Sequence, residues 1–216
     1  MFLATVAGGL SSLWWGKAAW SAVSGPVSSV ANTVAPILPS EGWRIYTVAA
    51  TMPAFEPATW RLEIGGMVAR PQELSYHDLR ALPQVSQVSD FHCVTGWSVN
   101  GVHWRGVRFK DLLAAAEPLP GARALEFVSA EKPYVDYLTL DQAMLPNAML
   151  AWEMDGTPLA QEHGAPVRVV IPEMYGYKNV KWVAEVNLVR MPGNGYWELN
   201  GYDNDAWVGR SNGYTT

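Results

Sequence analysis

The sequence predicts an α+β fold in which several small mixed β-sheets are joined by short helices. Three observations lead there. Runs of alternating apolar and polar residues, the mark of half-buried strands, recur along the chain in short pieces. Helical spacing is confined to stretches of one to three turns. Strand and helix signals are mixed without the regular alternation of a doubly wound fold. The 15 prolines, spread along the chain, reinforce short elements joined by rigid turns.

Taken in order, the chain opens on an apolar, small-residue-rich stretch, Met1 to Leu38, in which only Lys17 is charged. Its first twenty residues approach the length of a membrane span but are interrupted by Gly8, Gly9, Ser11, Ser12, Gly16 and Lys17. Three readings stay open: the remnant of a membrane anchor, an uncharged export signal, or an arm packed on the domain. Residues 1–40 are therefore read as arm and linker, and residues 41–216 as one domain. Trp60 to Ile64 alternates as a strand that Gly65-Gly66 ends. Leu74 to Leu82 has helical spacing, with Ser75 as cap, Asp78 three residues on, and Pro83 as stop. Gln84 to Val94 reads as a strand delivering Cys93, and Gly106 to Leu113 as the opening of a short helix. Ala124–Ala130 and Tyr134–Leu140 form a hairpin through Lys132-Pro133, followed by a one-turn helix at Asp141–Met144. Met149–Glu153, Pro166–Ile171 and Trp182–Val189 complete the strands, with turn chemistry at Met154–Thr157.

Composition bounds the function. With 216 residues, 49% hydrophobic and 16% charged, the chain can bury a sizeable core. A net charge of −5 offers no basic face for nucleic acid. One cysteine excludes a disulfide framework. That cysteine, Cys93, is either an inert buried thiol or a reactive, metal-binding one. A polar run (Gln87, Ser89, Asp90, His92) leads into it and Gly96 follows, which suits the mouth of a site. A second cluster lies further on. His163, Arg168, Lys178, Asn179 and Lys181 fall on and around a loop between two apolar strands. They offer the donors of an anion cradle, or else are solvated charges at strand ends. His77 and His103 stand outside these patterns, and no His/Cys spacing suits zinc.

Asp90-Phe91-His92-Cys93-Val94-Thr95-Gly96-Trp97-Ser98-Val99 with Trp104-Arg105-Gly106-Val107 resembles the molybdenum-ligand segment of the sulfite oxidase superfamily. Ala151 to Leu159, His163 to Pro172 and Val180-Lys181-Trp182 resemble its pterin-binding half, in order and spacing. The similar branch is that of small bacterial molybdopterin-dependent oxidoreductases related to the periplasmic methionine-sulfoxide reductase catalytic subunit. The resemblance implies a sulfite-oxidase-like molybdopterin-binding fold. It implies molybdenum carried by a single molybdopterin, with Cys93 as thiolate ligand. It implies that His163, Arg168, Lys178 and Lys181 hold the pterin and its phosphate, under a covering loop of Tyr175, Gly176, Tyr177, Lys178 and Asn179. His92, beside the cysteine, is counted with the cofactor-binding residues as one that tunes the thiolate or donates a hydrogen bond behind it, or else is a satisfied polar neighbour. Tyr202 falls where sulfite oxidases carry an active-site tyrosine.

Departures from the family pattern narrow the substrate. Sulfite oxidases carry an arginine upstream, where the ungapped counterpart is Thr47, and arginines after the cysteine, where this chain has Gly96, Trp97 and Ser98. Their absence predicts a neutral, apolar-walled pocket near Trp97, suited to two-electron oxygen-atom transfer on a small sulfoxide-like oxo-substrate. A sulfite dehydrogenase and a cofactor-free interaction module with a structural Cys93 remain alternatives. The chain lacks a haem-binding segment, so the resemblance implies a separate haem- or quinone-linked electron partner. It also implies a periplasmic or extracytoplasmic place, with membrane association through residues 1–38 among the open readings.

Overall fold

The computed structural model describes residues 42–210. The arm and linker expected over residues 1–40 lie outside the described residues. No helix among the described residues is long and apolar enough to cross a membrane.

Among the described residues, two five-stranded sheets form the body of the domain, and three short α-helices and several 3-10 turns fill the connections. The first sheet has the order β2-β1-β10-β5-β6. It is built from β1 (Arg61–Gly66), β2 (Gln72–Ser75), β5 (Ala124–Ser129), β6 (Val135–Thr139) and β10 (Val183–Val189). It is mixed: β1 runs parallel to β10, and the other pairs are antiparallel. The second sheet is antiparallel, with the order β3-β4-β7-β8 and β9 off that path, paired to the first half of β7. Its strands are β3 (Gln84–Cys93), β4 (Trp97–Arg108), β7 (Met149–Met154), β8 (Thr157–Pro158) and β9 (Arg168–Val170). The α+β expectation holds.

The helices follow their sequence signals. α1 (Tyr76–Ala81) begins at Ser75, whose hydroxyl accepts from the Asp78 amide while the Asp78 carboxylate accepts from Ser75. The strand-like residues just before it pair as β2. α2 (Phe109–Leu113) starts only after β4 ends, so the segment from Gly106 to Arg108 is strand. α3 (Leu140–Ala143) has a second capping box between Thr139 and Gln142.

The main core lies between the sheets. Leu62, Ile64, Leu125, Phe127, Val186 and Leu188 from the first sheet meet Val107, Leu150, Trp152 and Val169 from the second. Strand β7 is buried on both faces: Leu150 and Trp152 enter this core, while Met149 and Ala151 enter a smaller cluster on the outer face with Val102, Trp104, Leu159 and Val170. That outer face carries the candidate site.

A cysteine at the head of an aromatic cleft

Strands β3 and β4 form a hairpin whose head is Val94-Thr95-Gly96. Gly96 takes a positive φ of 88°, a region open to glycine, and its amide donates to the Cys93 carbonyl at 3.0 Å. Cys93 and Trp97 are therefore direct cross-strand partners and share a face. Phe91, two residues back, shares it too. Along β4 the inward parity changes between Val99 and Val102, where the register shifts against β3 and Gly101 donates to the Asp90 carboxylate at 2.8 Å. The bulge puts Trp97 on the same face as Trp104. A wall of Phe91, Trp97 and Trp104 results, with the Cys93 thiol at one end.

The segment before β1 lies across this wall. Trp43 packs its ring 4.9 Å from Phe91, 6.3 Å from Trp97, 6.2 Å from Trp104 and 5.0 Å from His163. Tyr46 stacks on Trp97 at 6.4 Å. Glu131, buried in the β5–β6 turn, holds the segment: one carboxylate oxygen accepts from the Val48 amide at 2.8 Å, the Ala49 amide at 3.2 Å and the Thr47 hydroxyl. Thr47 thus turns toward Glu131. Trp43, Tyr46 and Glu131 carry no sequence signal of a site, and only the folded chain brings them here.

The cleft ends at a buried Arg168 and a half-buried Lys181. Arg168 opens β9, and strand alternation sends its side chain out of the main core, where its neighbour Val169 is buried. The guanidinium is 3% exposed and lies 5.3 to 6.0 Å over the rings of Trp104, Phe91 and Trp43. Its protein acceptors are the carbonyls of His163, Asn179 and Val169 at 3.2, 3.4 and 3.5 Å. Lys181 donates to the carbonyls of Tyr46 at 2.7 Å and Glu162 at 3.1 Å, over the Trp182 ring at 4.0 Å. Neither cation forms an ion pair among the described residues. Burial, then the repulsion of Arg168, pushes the Lys181 amine down to about 7, and burial lowers Arg168 to about 10. Burial followed by Arg168 also lowers His163, so its imidazole stays neutral. Trp182 takes the left-handed φ of 50°, a strain of about 1–3 kcal/mol that turns the chain at the cradle.

These donors are short of acceptors. The Tyr46 hydroxyl and the indole nitrogen of Trp104 are buried without a hydrogen-bond partner. Unmatched positive charge and orphaned donors fit an anionic, hydrogen-bonding group such as a phosphate-bearing pterin, and the lone thiol fits a soft metal. Burial pushes the Cys93 thiol up, while its 3.1 Å contact with the Thr95 hydroxyl and the charge of Arg44 pull it back toward thiolate.

The other expected residues are placed differently. Lys178 is a correction: its ammonium points inward, not into the cradle, and is ion-paired to Asp136 at 2.7 Å and to Glu198, all three buried. The 3-10 turn Gly176–Lys178 aims it away. His92 is a second correction. Adjacent strand residues face opposite ways, and its Nδ1 meets the Ser98 hydroxyl at 2.8 Å on the face away from Cys93. Asn179 braces the loop: its Oδ1 accepts from the Ile171 amide at 2.8 Å. Tyr177 donates its hydroxyl to the Asp203 carbonyl at 2.7 Å. Tyr175 is tied by its amide to the Ala206 carbonyl at 2.9 Å. Tyr202 is half-buried against Tyr177 and Trp197, with ring centroids 5.3 and 5.1 Å away. Gly176 does reach the cleft wall, because a Cβ there would lie 2.3 Å from the Phe91 ring. Gly176→Ala is expected to destabilise the domain by about 1–3 kcal/mol. Phe91→Leu, by freeing space, should recover part of that in a double-mutant cycle read by urea unfolding.

Comparison with known proteins fits this geometry. Residues 49–197 match the family described as an oxidoreductase molybdopterin binding domain. The chain is 36% identical over 159 residues to the uncharacterized oxidoreductase YuiH of Bacillus subtilis, covering 72% of this chain and 80% of that protein. It is 33% identical over 156 residues to the putative protein-methionine-sulfoxide reductase subunit YedZ1 of Azospira oryzae, covering 72% of this chain and 58% of that protein. It is 29% identical over 160 residues to the protein-methionine-sulfoxide reductase catalytic subunit MsrP of Campylobacter jejuni, covering 67% of this chain and 54% of that protein. The chain thus spans little more than half the length of the last two. The sulfane dehydrogenase SoxCD of Paracoccus pantotrophus shares the fold, with a TM-score of 0.60 and 23% identity over 65% of this chain and 41% of that one. With a family match over more than half its length and a sheet pair that carries the fold, the chain belongs to the oxidoreductase molybdopterin binding domain family, and is a molybdenum- and molybdopterin-dependent oxidoreductase of the sulfite oxidase superfamily.

Proposed function

We propose that this chain carries out two-electron oxygen-atom transfer on a small sulfoxide-like substrate, with Cys93 as the thiolate ligand of molybdenum. The observation that carries this reading is the meeting, in one aromatic-walled cleft, of the only thiol with a buried guanidinium, Arg168, and a half-buried lysine, Lys181, neither with a carboxylate partner among the described residues. The bound cofactor supplies the oxygen-transfer chemistry. The chain's part is to hold and screen it. Arg168 presents its fork to the pterin phosphate, Lys181 adds a point charge, and neutral His163 contributes a ring-nitrogen hydrogen bond. Trp43, Phe91, Trp97 and Trp104 exclude water and raise the strength of every polar contact inside. Tyr202 is the phenol proposed to contact substrate. That two relatives are named as reductase subunits, one of them catalytic, supports electron exchange with a separate haem- or quinone-linked protein. The apolar sequence of residues 1–38 supports an extracytoplasmic, membrane-associated place.

The test is metal content with turnover. Protein made in a molybdopterin-competent host should carry about one molybdenum per chain, and reduce a sulfoxide with a reduced viologen dye. Cys93→Ser should fold and lose activity by at least about 100-fold, more than the loss of an outer-sphere residue brings. Wild-type protein without molybdenum, or a fully active Cys93→Ser variant, would overturn the reading. A parallel assay of sulfite oxidation separates sulfoxide reductase from sulfite dehydrogenase.

A further inference from the structure

The segment that crosses the cleft is held there by a closed circuit of hydrogen bonds. Residues 43–47 belong to no strand or helix, so their place depends on such ties rather than on a ladder. Glu131 is 4% exposed, and one of its carboxylate oxygens accepts from the Val48 amide, the Ala49 amide and the Thr47 hydroxyl. The Glu131 amide donates to the Ser129 hydroxyl at 2.9 Å, and that hydroxyl donates to the Lys181 carbonyl at 2.8 Å. The Lys181 ammonium closes the circuit on the Tyr46 carbonyl at 2.7 Å. It spends two of its three N–H groups, on Tyr46 and Glu162, and so keeps a third for an anion in the cradle. Segment and cradle thus share one lysine. Glu131, being an acceptor, is the tie for which an anion cannot compete. Just upstream of that tie, Trp43 and Tyr46 lie against the aromatic wall.

On the reading of this cleft as the cofactor site, we infer that Glu131 is a positioning residue: it seats residues 43–49 as a strap over the cofactor, with Trp43 and Tyr46 as the strap's inner face, and so sets how tightly the cofactor is retained. Glu131 acts through the strap and touches no reacting group. A role through its charge would have the opposite sign. Glu131 lies near enough to Lys181 for its charge to be felt there. Removing a negative charge beside the cradle would by itself tighten the hold on an anion, whereas releasing the strap loosens it.

The experiment compares wild type, Glu131→Gln and Glu131→Ala, each made cofactor-free in a molybdopterin-deficient host and molybdenum-loaded in a competent one. Amide hydrogen exchange and urea unfolding are followed on the cofactor-free chain, and loss of molybdenum on dialysis is followed on the loaded one. Glu131→Ala is expected to speed exchange of the Val48 and Ala49 amides about 100-fold, the range of a hydrogen bond to a charged group, and Glu131→Gln, which keeps an acceptor without the charge, about 10-fold. Exchange in the strands of both sheets and the urea midpoint should move far less. Molybdenum should leave Glu131→Ala about 10-fold faster than wild type, with Glu131→Gln between the two. Unchanged exchange at Val48 and Ala49 would overturn the inference. So would freed amides with molybdenum lost at the wild-type rate or more slowly. Faster exchange spread through both sheets, with a lowered urea midpoint, would make Glu131 a brace of the whole domain and overturn it too. Should Glu131→Ala fail to fold, Glu131→Gln carries the same test with its smaller effects. Wild type without molybdenum from the competent host would instead sink the reading of the cleft on which the inference rests, while the exchange result on the cofactor-free chain would stand.

Discussion

Lys178→Met is expected to destabilise the domain by about 3–5 kcal/mol at pH 7, because it strands two buried carboxylates without their counterion. Asp136 and Glu198 both pair with Lys178, and each keeps one buried oxygen with no partner. A single lysine neutralises one of them. Asp136 is therefore pushed up to about 7, first by burial, with Lys178 opposing and Glu198 adding to the rise. The sign of the pH dependence follows. In the unfolded chain the Asp136 carboxyl releases its proton near the ordinary 3.8, whereas the native one keeps it to about 7. Its contribution is fully present below 3.8 and is lost as the pH rises through 7. Removing the lysine removes the larger opposing effect and leaves only the Tyr137 amide that donates to the same carboxylate, so the variant's deficit should shrink on acidification to pH 5. Urea unfolding at several pH values measures this. Should Lys178→Met alone not fold, the triple variant with Asp136→Asn and Glu198→Gln replaces the ions by neutral groups and should recover most of the loss. A variant equal to wild type at pH 7 would show that Lys178 does not balance these acids.

This triad also shows where sequence reading stops. Local signals were legible: Ser75 with Asp78 marks a helix start whose capping bonds close within four residues, and the one-turn helix after Leu140 was read although its Thr139–Gln142 cap was not. Cys93, His163, Arg168 and Lys181 were legible as donors, and the fold gathers the last three with the aromatic wall that the thiol ends. Lys178 was read with them, but its partners lie 42 and 20 residues away in sequence, where no spacing rule reaches. The twelve-residue strand β4 was missed for a different reason. Its alternation reverses at Asn100-Gly101, so Trp97 and Val99 are in odd register and Val102 and Trp104 in even, and neither half is long enough to read alone. The chain before β1 has no regular structure, and its placement over the cleft depends on Glu131 and Lys181. Trp43 and Tyr46 therefore had no legible role.

Arg168→Met is expected to have effects of opposite sign on the two forms of the protein. Cofactor retention should fall by about 100-fold or more, the worth of a forked, charge-assisted contact to phosphate. The cofactor-free chain should keep its stability or gain some. The guanidinium is buried with only three backbone carbonyls at 3.2 to 3.5 Å, and its lowered pKa records an uncompensated desolvation. Methionine fills comparable volume among Trp43, Phe91 and Trp104 and leaves no charge to desolvate. Lys181→Met should behave in the same way and add a pH signature. Its native pKa of about 7 lies below the ordinary 10.5, so the wild-type cofactor-free fold loses stability as the pH falls from 10.5 toward 7. The variant should lack that slope. Molybdenum per chain, measured beside urea unfolding of the cofactor-free protein, separates this outcome from a structural role. If Arg168 and Lys181 only braced the fold, both variants would lose stability in the cofactor-free state, and metal content would fall no faster than the folded fraction. Stability held or raised while metal is lost would show that the fold carries uncompensated positive charge, buried at Arg168 and half-buried at Lys181, for the anion they are built to receive.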